Sequence, residues 1–264
     1  MKKYLVIGNP IEHSLSPKLH NYWIKMNNID AIYEKKKINE DEVKDLILQI
    51  RKKEICGVNV TVPFKNKVIS HLDKLTTESQ STQSVNTIYL DNNNVVGHNT
   101  DIYGFEMSIK KIKHNLEGKK ILILGSGGVV PSIIFALKKM KVSQISLSNR
   151  TREKAEKLKD LFEGLNIVDW GEVPGFDMVI NATSLGLNQD DRIGIDFSSI
   201  GKDKFFYDVI YNSKETHFLK LGRKMGNKIE DGKNMFIYQA FSAFNIWHGI
   251  QPNVDDKVTE LLNQ

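Results

Sequence analysis

The 264-residue chain holds a single cysteine, Cys56, which excludes an internal disulfide and any cysteine-based metal cluster. Next to Gly57 it reads as a small buried apolar residue. Long hydrophobic runs are missing too. Ile121 to Leu124 is typical of the apolar stretches, far short of the roughly 18 residues a membrane span needs. Met1-Lys2-Lys3 leads directly into Tyr4-Leu5-Val6-Ile7 with no signal-peptide core, so a cytoplasmic location is expected. The seven histidines show no ligand-like spacing, so no metal is expected. Repeats and low-complexity tracts are absent as well. Charge of one sign is barely in excess: 37 Lys plus Arg against 32 Asp plus Glu leaves +5, which suits an anionic ligand at least as well as nucleic acid.

What is present is an ordinary folding composition, 40% hydrophobic and 26% charged. At a prior of about 150 residues per domain the length corresponds to roughly two domains. Short apolar runs alternate with amphipathic stretches of helical length, the pattern of an α/β protein. Strands are expected at Lys3 to Gly8, Ala31 to Lys36, Gly57 to Val62, Val85 to Leu90 and Val95 to Asn99, the last two joined by the turn signal Asp91-Asn92-Asn93-Asn94. Helices are expected at Pro17 to Met26 and Glu40 to Lys53, the second with Asn39 as N-cap and Glu42 at the capping-box position. After a helix from Tyr103 toward Gly118 a regular alternation begins. It comprises strand Lys120 to Leu124, helix Val129 to Lys139, strand Gln144 to Ser148, helix Thr151 to Phe162, and strands Met178 to Ile180 and Phe205 to Val209. That order implies a parallel sheet. Beyond Gly232 the chain reads as helical, Met235 to Gly249 and Val254 to Leu262, and these helices are expected to pack on the first part. The division is therefore 1–101, 102–231 and 232–264.

Gly125-Ser126-Gly127-Gly128 follows a strand and opens a helix, where glycines permit a tight turn and let backbone N–H groups approach a pyrophosphate. Val129 and Val130 follow, so the third glycine of the strict pattern is replaced by Val130, with Pro131 in the first helical turn. A tight turn without a ligand is the other reading. The next strand ends in Ser148-Asn149-Arg150-Thr151, followed by Arg152 and Lys154, where an NAD-binding chain would present an acid to the ribose 2′-hydroxyl. Arginine there suits a 2′-phosphate, which favours NADP. Against it stand Glu153 and the simpler reading in which Thr151 caps a helix and Arg150 is solvated.

In Gly57-Val58-Asn59-Val60-Thr61-Val62-Pro63, period-two alternation puts Val58, Val60 and Val62 on one face and Asn59 with Thr61 on the other. Pro63 is expected to open a short helix with Lys65 and Lys67 in its first turn, where the macrodipole disfavours cations. A lysine so placed sheds its proton more readily, which suits proton transfer; two solvated lysines are the alternative. Ser16 reads as the N-cap of a helix with Pro17 at N1, although Ser14 and Ser16 together also form a carboxylate receptor. Asn86 is unusual within a strand, and Asp101 either caps the helix near Tyr103 or carries chemistry.

Taken in order, these segments resemble the shikimate dehydrogenase family along nearly the whole chain. The resemblance is carried by Ser14-Leu15-Ser16-Pro17, Gly57 through Lys65, Val85-Asn86-Thr87, Asn99 through Gly104, the glycine loop, Asn149-Arg150-Thr151, Asn181 through Gly186, Asp208 through Asn212, and Gly232 through Gln239. It implies a mixed-sheet α/β substrate domain, a Rossmann-type dinucleotide-binding domain, and C-terminal helices returning to the first. It also implies NADPH-dependent reduction of 3-dehydroshikimate to shikimate, on the route to chorismate and the aromatic amino acids. Residue by residue, it makes Lys65 and Asp101 catalytic and gives Ser14, Ser16, Asn59, Thr61, Asn86, Tyr211 and Gln239 to the substrate. Gly125, Ser126, Gly127, Gly128, Val129, Asn149, Arg150, Thr151, Lys154, Asn181, Ala182, Thr183, Val209, Gly232 and Met235 go to the cofactor. The chain departs from the family pattern at Val129-Val130-Pro131, at Gln83-Ser84 where glycine and alanine are common, and at Ser213 in place of a proline. A monomer or homodimer without nucleic-acid or membrane partners is expected. Two alternatives stay open: a quinate/shikimate dehydrogenase using NAD, and a nucleotide-binding protein without catalysis.

Overall fold

The computed structural model describes residues 1–211 and 215–263, so Asn212 and Ser213 lie outside the described residues. Two compact units are present, Met1–Phe105 together with Ile237–Gln264, and Glu106–Phe236. The first contains β1 (Lys2–Gly8), α1 (Ser16–Met26), β2 (Ala31–Lys37), α2 (Val43–Arg51), β3 (Gly57–Val60), β4 (Lys74–Leu75), α3 (Thr77–Thr82), β5 (Thr87–Asp91) and β6 (Asn94–His98). Helix α4 (Asp101–Lys111) carries the chain into the second unit, which holds β7 (Lys120–Leu124), α5 (Val130–Lys139), β8 (Gln144–Ser148), α6 (Arg152–Glu156), β9 (Leu165–Val168), β10 (Met178–Asn181), β11 (Phe205–Asp208), α7 (His217–Lys224) and β12 (Lys228–Glu230). Helix α8 (Lys233–His248) leads back to the first unit, and α9 (Asp256–Asn263) ends it. Both changeovers fall inside helices, slightly later than 101 and 231, because a continuous helix gives no compositional signal where its neighbours change.

The first sheet has the order β2-β1-β3-β5-β6-β4. Strands β1, β2 and β3 run parallel, while β5 is antiparallel to both β3 and β6. The C-terminal ends of β1, β3 and β6 and the start of β5 therefore share one edge of the sheet. The β5–β6 turn has Asn92 at φ 45° and Asn93 at φ 65°, the left-handed pair that a two-residue hairpin needs. On one face α2 contributes Val43, Leu46, Ile47 and Ile50 to a core with Leu5, Ile7, Val58 and Val60. The Glu42 carboxylate accepts the Asn39 N–H at 2.7 Å, the reach-back half of the capping box, ahead of a 3₁₀ turn rather than of the α-helix itself. Cys56 is half-buried, not buried, since it lies just before the strand.

Several expected boundaries move. β3 stops at Val60, and Val62 is 56% exposed, so it does not share the apolar face of Val58 and Val60; the chain turns out of the sheet at the cis Val62–Pro63 bond. The 3₁₀ turn that follows spans Lys67–His71, which leaves Lys65 before it rather than in a helical first turn. Elements β4, α3, β9, α7 and β12, most of them very short, are additional to those expected from sequence.

The second sheet is wholly parallel, ordered β12-β11-β10-β7-β8-β9. Counted from its first strand, this is the doubly wound 3-2-1-4-5-6 arrangement, whose order reverses between β7 and β10. Its central strands β7, β10 and β11 are almost fully buried, as parallel strands covered on both faces are. Phe176, Phe197, Phe206 and Phe218 meet edge-on or tilted on one side of it.

Helices α1 and α8 close the other side of the first sheet through an aromatic cluster. His20, 1% exposed, stacks on Tyr33 with ring centroids 4.2 Å apart, beside Trp23, Phe244 and Trp247. Neither of its ring nitrogens has a partner. Burial, and secondarily His248, lowers its pKa to about 3. The folded value lies below the unfolded one of about 6.5, so stability present above pH 6.5 is lost as pH falls toward 3. Between pH 7.5 and 4.5 this group alone is expected to remove about 3 kcal/mol. Urea titrations at the two pH values check this: His20→Phe should flatten the difference by about that amount, and an unchanged difference would acquit His20.

Candidate active site

Lys65 Nζ lies 2.5 Å from Asp101 Oδ2, both side chains largely buried. Lys65 sits in the turn beyond β3, where its carbonyl accepts the Val85 N–H at 2.8 Å and Asn66 Nδ2 donates to Gln83 O at 3.0 Å. A carboxylate, not a helix terminus, is what acts on its charge. Lys67, singled out with it, is paired on the surface with Glu40. Asp101 is the first residue of α4 but does not cap it: Asn99 Oδ1 accepts the N–H groups of Asp101 and Ile102 at 3.1 and 3.3 Å. With that task filled by Asn99, the Asp101 carboxylate is left for Lys65 and Asn86.

Asn86, 3% exposed, directly precedes β5 and donates through Nδ2 to Asp101 Oδ1 and to Thr100 Oγ1, both at 2.9 Å. Its Oδ1 accepts from Thr100 N at 2.7 Å and from Thr87 Oγ1 at 3.1 Å. A carboxylate only accepts, so it fixes which end of the Asn86 amide faces it. Asn59 stands one layer deeper. Its Nδ2 donates to Asn86 O and Thr87 Oγ1, each at 3.1 Å, and its Oδ1 accepts the Tyr33 hydroxyl at 2.6 Å. The fold thus gives its amide three partners, and Asn59 braces Asn86. Tyr33, Thr87 and Thr100 were not picked out from sequence. Thr87 and Thr100 adjoin singled-out residues, whereas nothing local marks Tyr33.

The segment after β1 runs beside the one after β3: Asn9 N donates to Val62 O at 3.0 Å and Thr61 N to Ile7 O at 2.9 Å. Ser14, Ser16 and Thr61 follow the C-terminal ends of these parallel strands, where open α/β sheets bind ligands. Ser16 is not the N-cap. Helix α1 begins with it, Leu15 occupies the cap position without a side-chain bond, and Ser14 Oγ accepts the Ser16 N–H at 3.3 Å. Ser14, ahead of the cap position, thus meets the first helical N–H, and the Ser16 hydroxyl is left outside capping. Gln239 is half-buried on α8 in this unit. Tyr211 and Met235 belong to the second, where Tyr211 stacks on Phe236 at 4.1 Å.

In the second unit Gly125 has φ 104°, and a Cβ there would lie 2.8 Å from Ala182 O, so the loops after β7 and β10 touch at the switch point through a residue that has to be glycine. Gly127 and Gly128 are exposed, Ser126 and Val129 half so, while Val130 packs inward with 0% exposure in the third glycine's place. Beyond β8, Asn149 Nδ2 donates to Thr151 O at 2.8 Å. Thr151 is at the N-cap of α6 but makes no side-chain capping bond, against the capping alternative. Arg152 is paired with Asp169 and with Glu156, whereas among the described residues Arg150 and Lys154 have no ion-pair partner. At the end of β10 the Asn181 amide organises a turn: its Oδ1 accepts from Thr183 N and Oγ1 at 3.1 and 2.7 Å. Gly232 approaches the Val209 carbonyl so closely that a Cβ would lie 2.2 Å from it. The exposed glycine turn and the unpaired cations fit a phosphorylated dinucleotide.

Family models described as "Shikimate dehydrogenase substrate binding domain", "Shikimate / quinate 5-dehydrogenase" and "Shikimate 5'-dehydrogenase C-terminal domain" match residues 6–88, 107–186 and 232–256. A curated shikimate dehydrogenase (NADP(+)) from Pelagibacter ubique is 56% identical over 262 residues, covering 99% of each chain. The chain belongs to the shikimate dehydrogenase family. Within that family, the crystal structure of shikimate dehydrogenase from Aquifex aeolicus superposes with a TM-score of 0.91 at 36% identity, covering 100% of this chain and 98% of the other. The Thermus thermophilus enzyme in complex with NADP(H) and shikimate gives 0.89 at 27% identity, covering 100% and 98%. The fold class read from sequence, an α/β chain with a Rossmann-like part, is that of these relatives. No helix among the described residues is long and apolar enough to cross a membrane.

Proposed function

We propose that this chain catalyses the reversible NADPH-dependent reduction of 3-dehydroshikimate to shikimate in the cytoplasm, on the route to chorismate and the aromatic amino acids. The observation that carries the reading is the buried Lys65–Asp101 pair braced by Asn86 at the ligand-binding edge of the first sheet. When bound, NADPH supplies the hydride. Lys65, as an ammonium, donates the proton that the ketone oxygen gains, and in the reverse direction accepts it. Asp101 holds the ammonium in place and accepts a hydrogen bond from the substrate hydroxyl as it forms. Asn86 orients Asp101 and, with Asn59 behind it, shapes the pocket for the ring hydroxyls. Ser14, Ser16, Thr61 and Gln239 receive the carboxylate end. On the cofactor side, Gly125 to Val129 cradle the pyrophosphate. Asn149, Arg150, Thr151 and Lys154 hold the 2′-phosphate, while Asn181 to Thr183, Val209, Gly232 and Met235 line the nicotinamide half. The division into a substrate domain, a cofactor domain and returning C-terminal helices follows the same assignment, and the chain acts as a monomer or homodimer on a small molecule.

Steady-state rates for shikimate and quinate, each with NADP⁺ and NAD⁺, test the reading. Turnover should be fastest by far for shikimate with NADP⁺. A quinate preference or an NAD⁺ preference would replace it with the broader quinate/shikimate activity, and binding without turnover would leave only a nucleotide-binding protein.

A further inference from the structure

Asp208 ends β11 with 0% exposure, directly after the buried Phe205-Phe206-Tyr207, at a position where an apolar residue would avoid the cost of burying a carboxylate. Its Oδ1 accepts from Asn181 Nδ2 at 3.0 Å and from Ile210 N at 3.1 Å, and its Oδ2 accepts the Thr216 hydroxyl at 2.7 Å. Three donors aimed at one carboxyl, one from the end of β10 and two from between β11 and α7, are a built arrangement.

We propose that Asp208 is a positioning residue for the cofactor, fixing the turn after β10 and the segment after β11 against each other. The inference rests on the assignment of Asn181 to Thr183 and of Val209 to the nicotinamide half.

Asn181 and Asp208 are register partners on adjacent parallel strands, so their side chains emerge together at the end where a dinucleotide lies. Because the carboxylate only accepts, it compels Asn181 to present Nδ2 to it, which turns Oδ1 toward Thr183. The same Nδ2 reaches Leu185 O at 3.0 Å, and Thr183 Oγ1 accepts the Leu185 N–H at 3.0 Å, so the whole turn is oriented from one amide. On the other side, Ile210 N fixes the backbone next to Val209, and Thr216 Oγ1 caps α7 by accepting the Leu219 N–H at 3.3 Å. Thr216 also packs near Gly186, where a Cβ would lie 3.2 Å from its methyl group, so the two loops meet there as well. Burial pushes the Asp208 carboxyl up to about 6 against the pull of these hydrogen bonds, in keeping with a group enclosed by protein.

The test measures NADPH affinity by fluorescence titration and shikimate affinity by calorimetry on the full chain, after wild-type turnover has been established. Asp208→Ala should weaken NADPH binding and raise its KM by about tenfold, with shikimate affinity within about twofold of wild type. Asp208→Asn keeps Oδ1 and should recover most of the loss. Thr216→Val should weaken NADPH by about threefold and Thr216→Ser should behave as wild type, which decides the matter if Asp208→Ala does not fold. NADPH affinity unchanged in Asp208→Ala, or in Thr216→Val where only that variant folds, would overturn the proposal. So would parallel loss of NADPH and shikimate affinity, the mark of general damage. If the wild type binds NADPH but does not turn over, the functional reading falls while the positioning role is still decided by the affinities.

Discussion

Lys65→Met should lower kcat for 3-dehydroshikimate reduction by about a thousandfold, the range in which a positioned proton donor contributes. NADPH affinity should stay at the wild-type value, since the residues proposed to hold the cofactor belong to the other unit. The variant leaves Asp101 buried with Asn86 but no cation, so a stability loss of about 3 kcal/mol is expected alongside. The double variant Lys65→Met with Asp101→Asn separates the two effects. Thermal melts should recover, because no uncompensated charge remains, while turnover should not. A Lys65→Met enzyme with kcat within tenfold of wild type would remove the lysine from proton transfer.

The second large effect concerns the cofactor. Arg150→Ala should raise KM for NADPH by about thirtyfold, the worth of a charge-assisted hydrogen bond to phosphate, and leave kcat/KM for NADH as it was. Arg152→Ala should change the NADPH/NADH ratio little, because that guanidinium is already held by Asp169 and Glu156. The ratio of kcat/KM for the two cofactors, measured for both variants, is the check. Equal effects of the two substitutions would mean that the cations act as a diffuse field rather than as a site.

How far the sequence carried the reading depended on the range of the interactions involved. The glycine turn was legible because a strand, glycines and a helix follow one another within a dozen or so residues and each obeys local rules. The β5–β6 hairpin was legible for the same reason, since consecutive asparagines tolerate the left-handed backbone found at Asn92 and Asn93. For Lys65 the sequence points to a helix terminus that the structure removes: the helix begins later, and the carboxylate that meets the lysine is 36 residues away in sequence. Capping is the sequence reading for Ser16 and one of two for Asp101, because a lone sequence cannot say which of several neighbouring polar residues takes that task; Asn99 caps one helix and Ser14 bonds the first turn of the other. Asn59 lies in β3 whereas Thr61 falls just beyond its end, and the alternation pattern tells neither where the strand stops nor which amide the fold consumes. Tyr33 was out of reach altogether, since its hydroxyl matters only through the 26-residue separation that brings it to Asn59.

The tie between Arg152 and Asp169 also bears on the conditions under which the molecule works. With that guanidinium occupied, the cations proposed to hold the 2′-phosphate, Arg150 and Lys154, are both exposed. Exposed charges are felt over a Debye length that contracts from about 30 Å at 0.01 M salt to about 10 Å at 0.1 M. On that proposal the preference for one dinucleotide over the other should narrow as ionic strength rises, whereas the enclosed Lys65–Asp101 pair is shielded from the same ions by the protein around it.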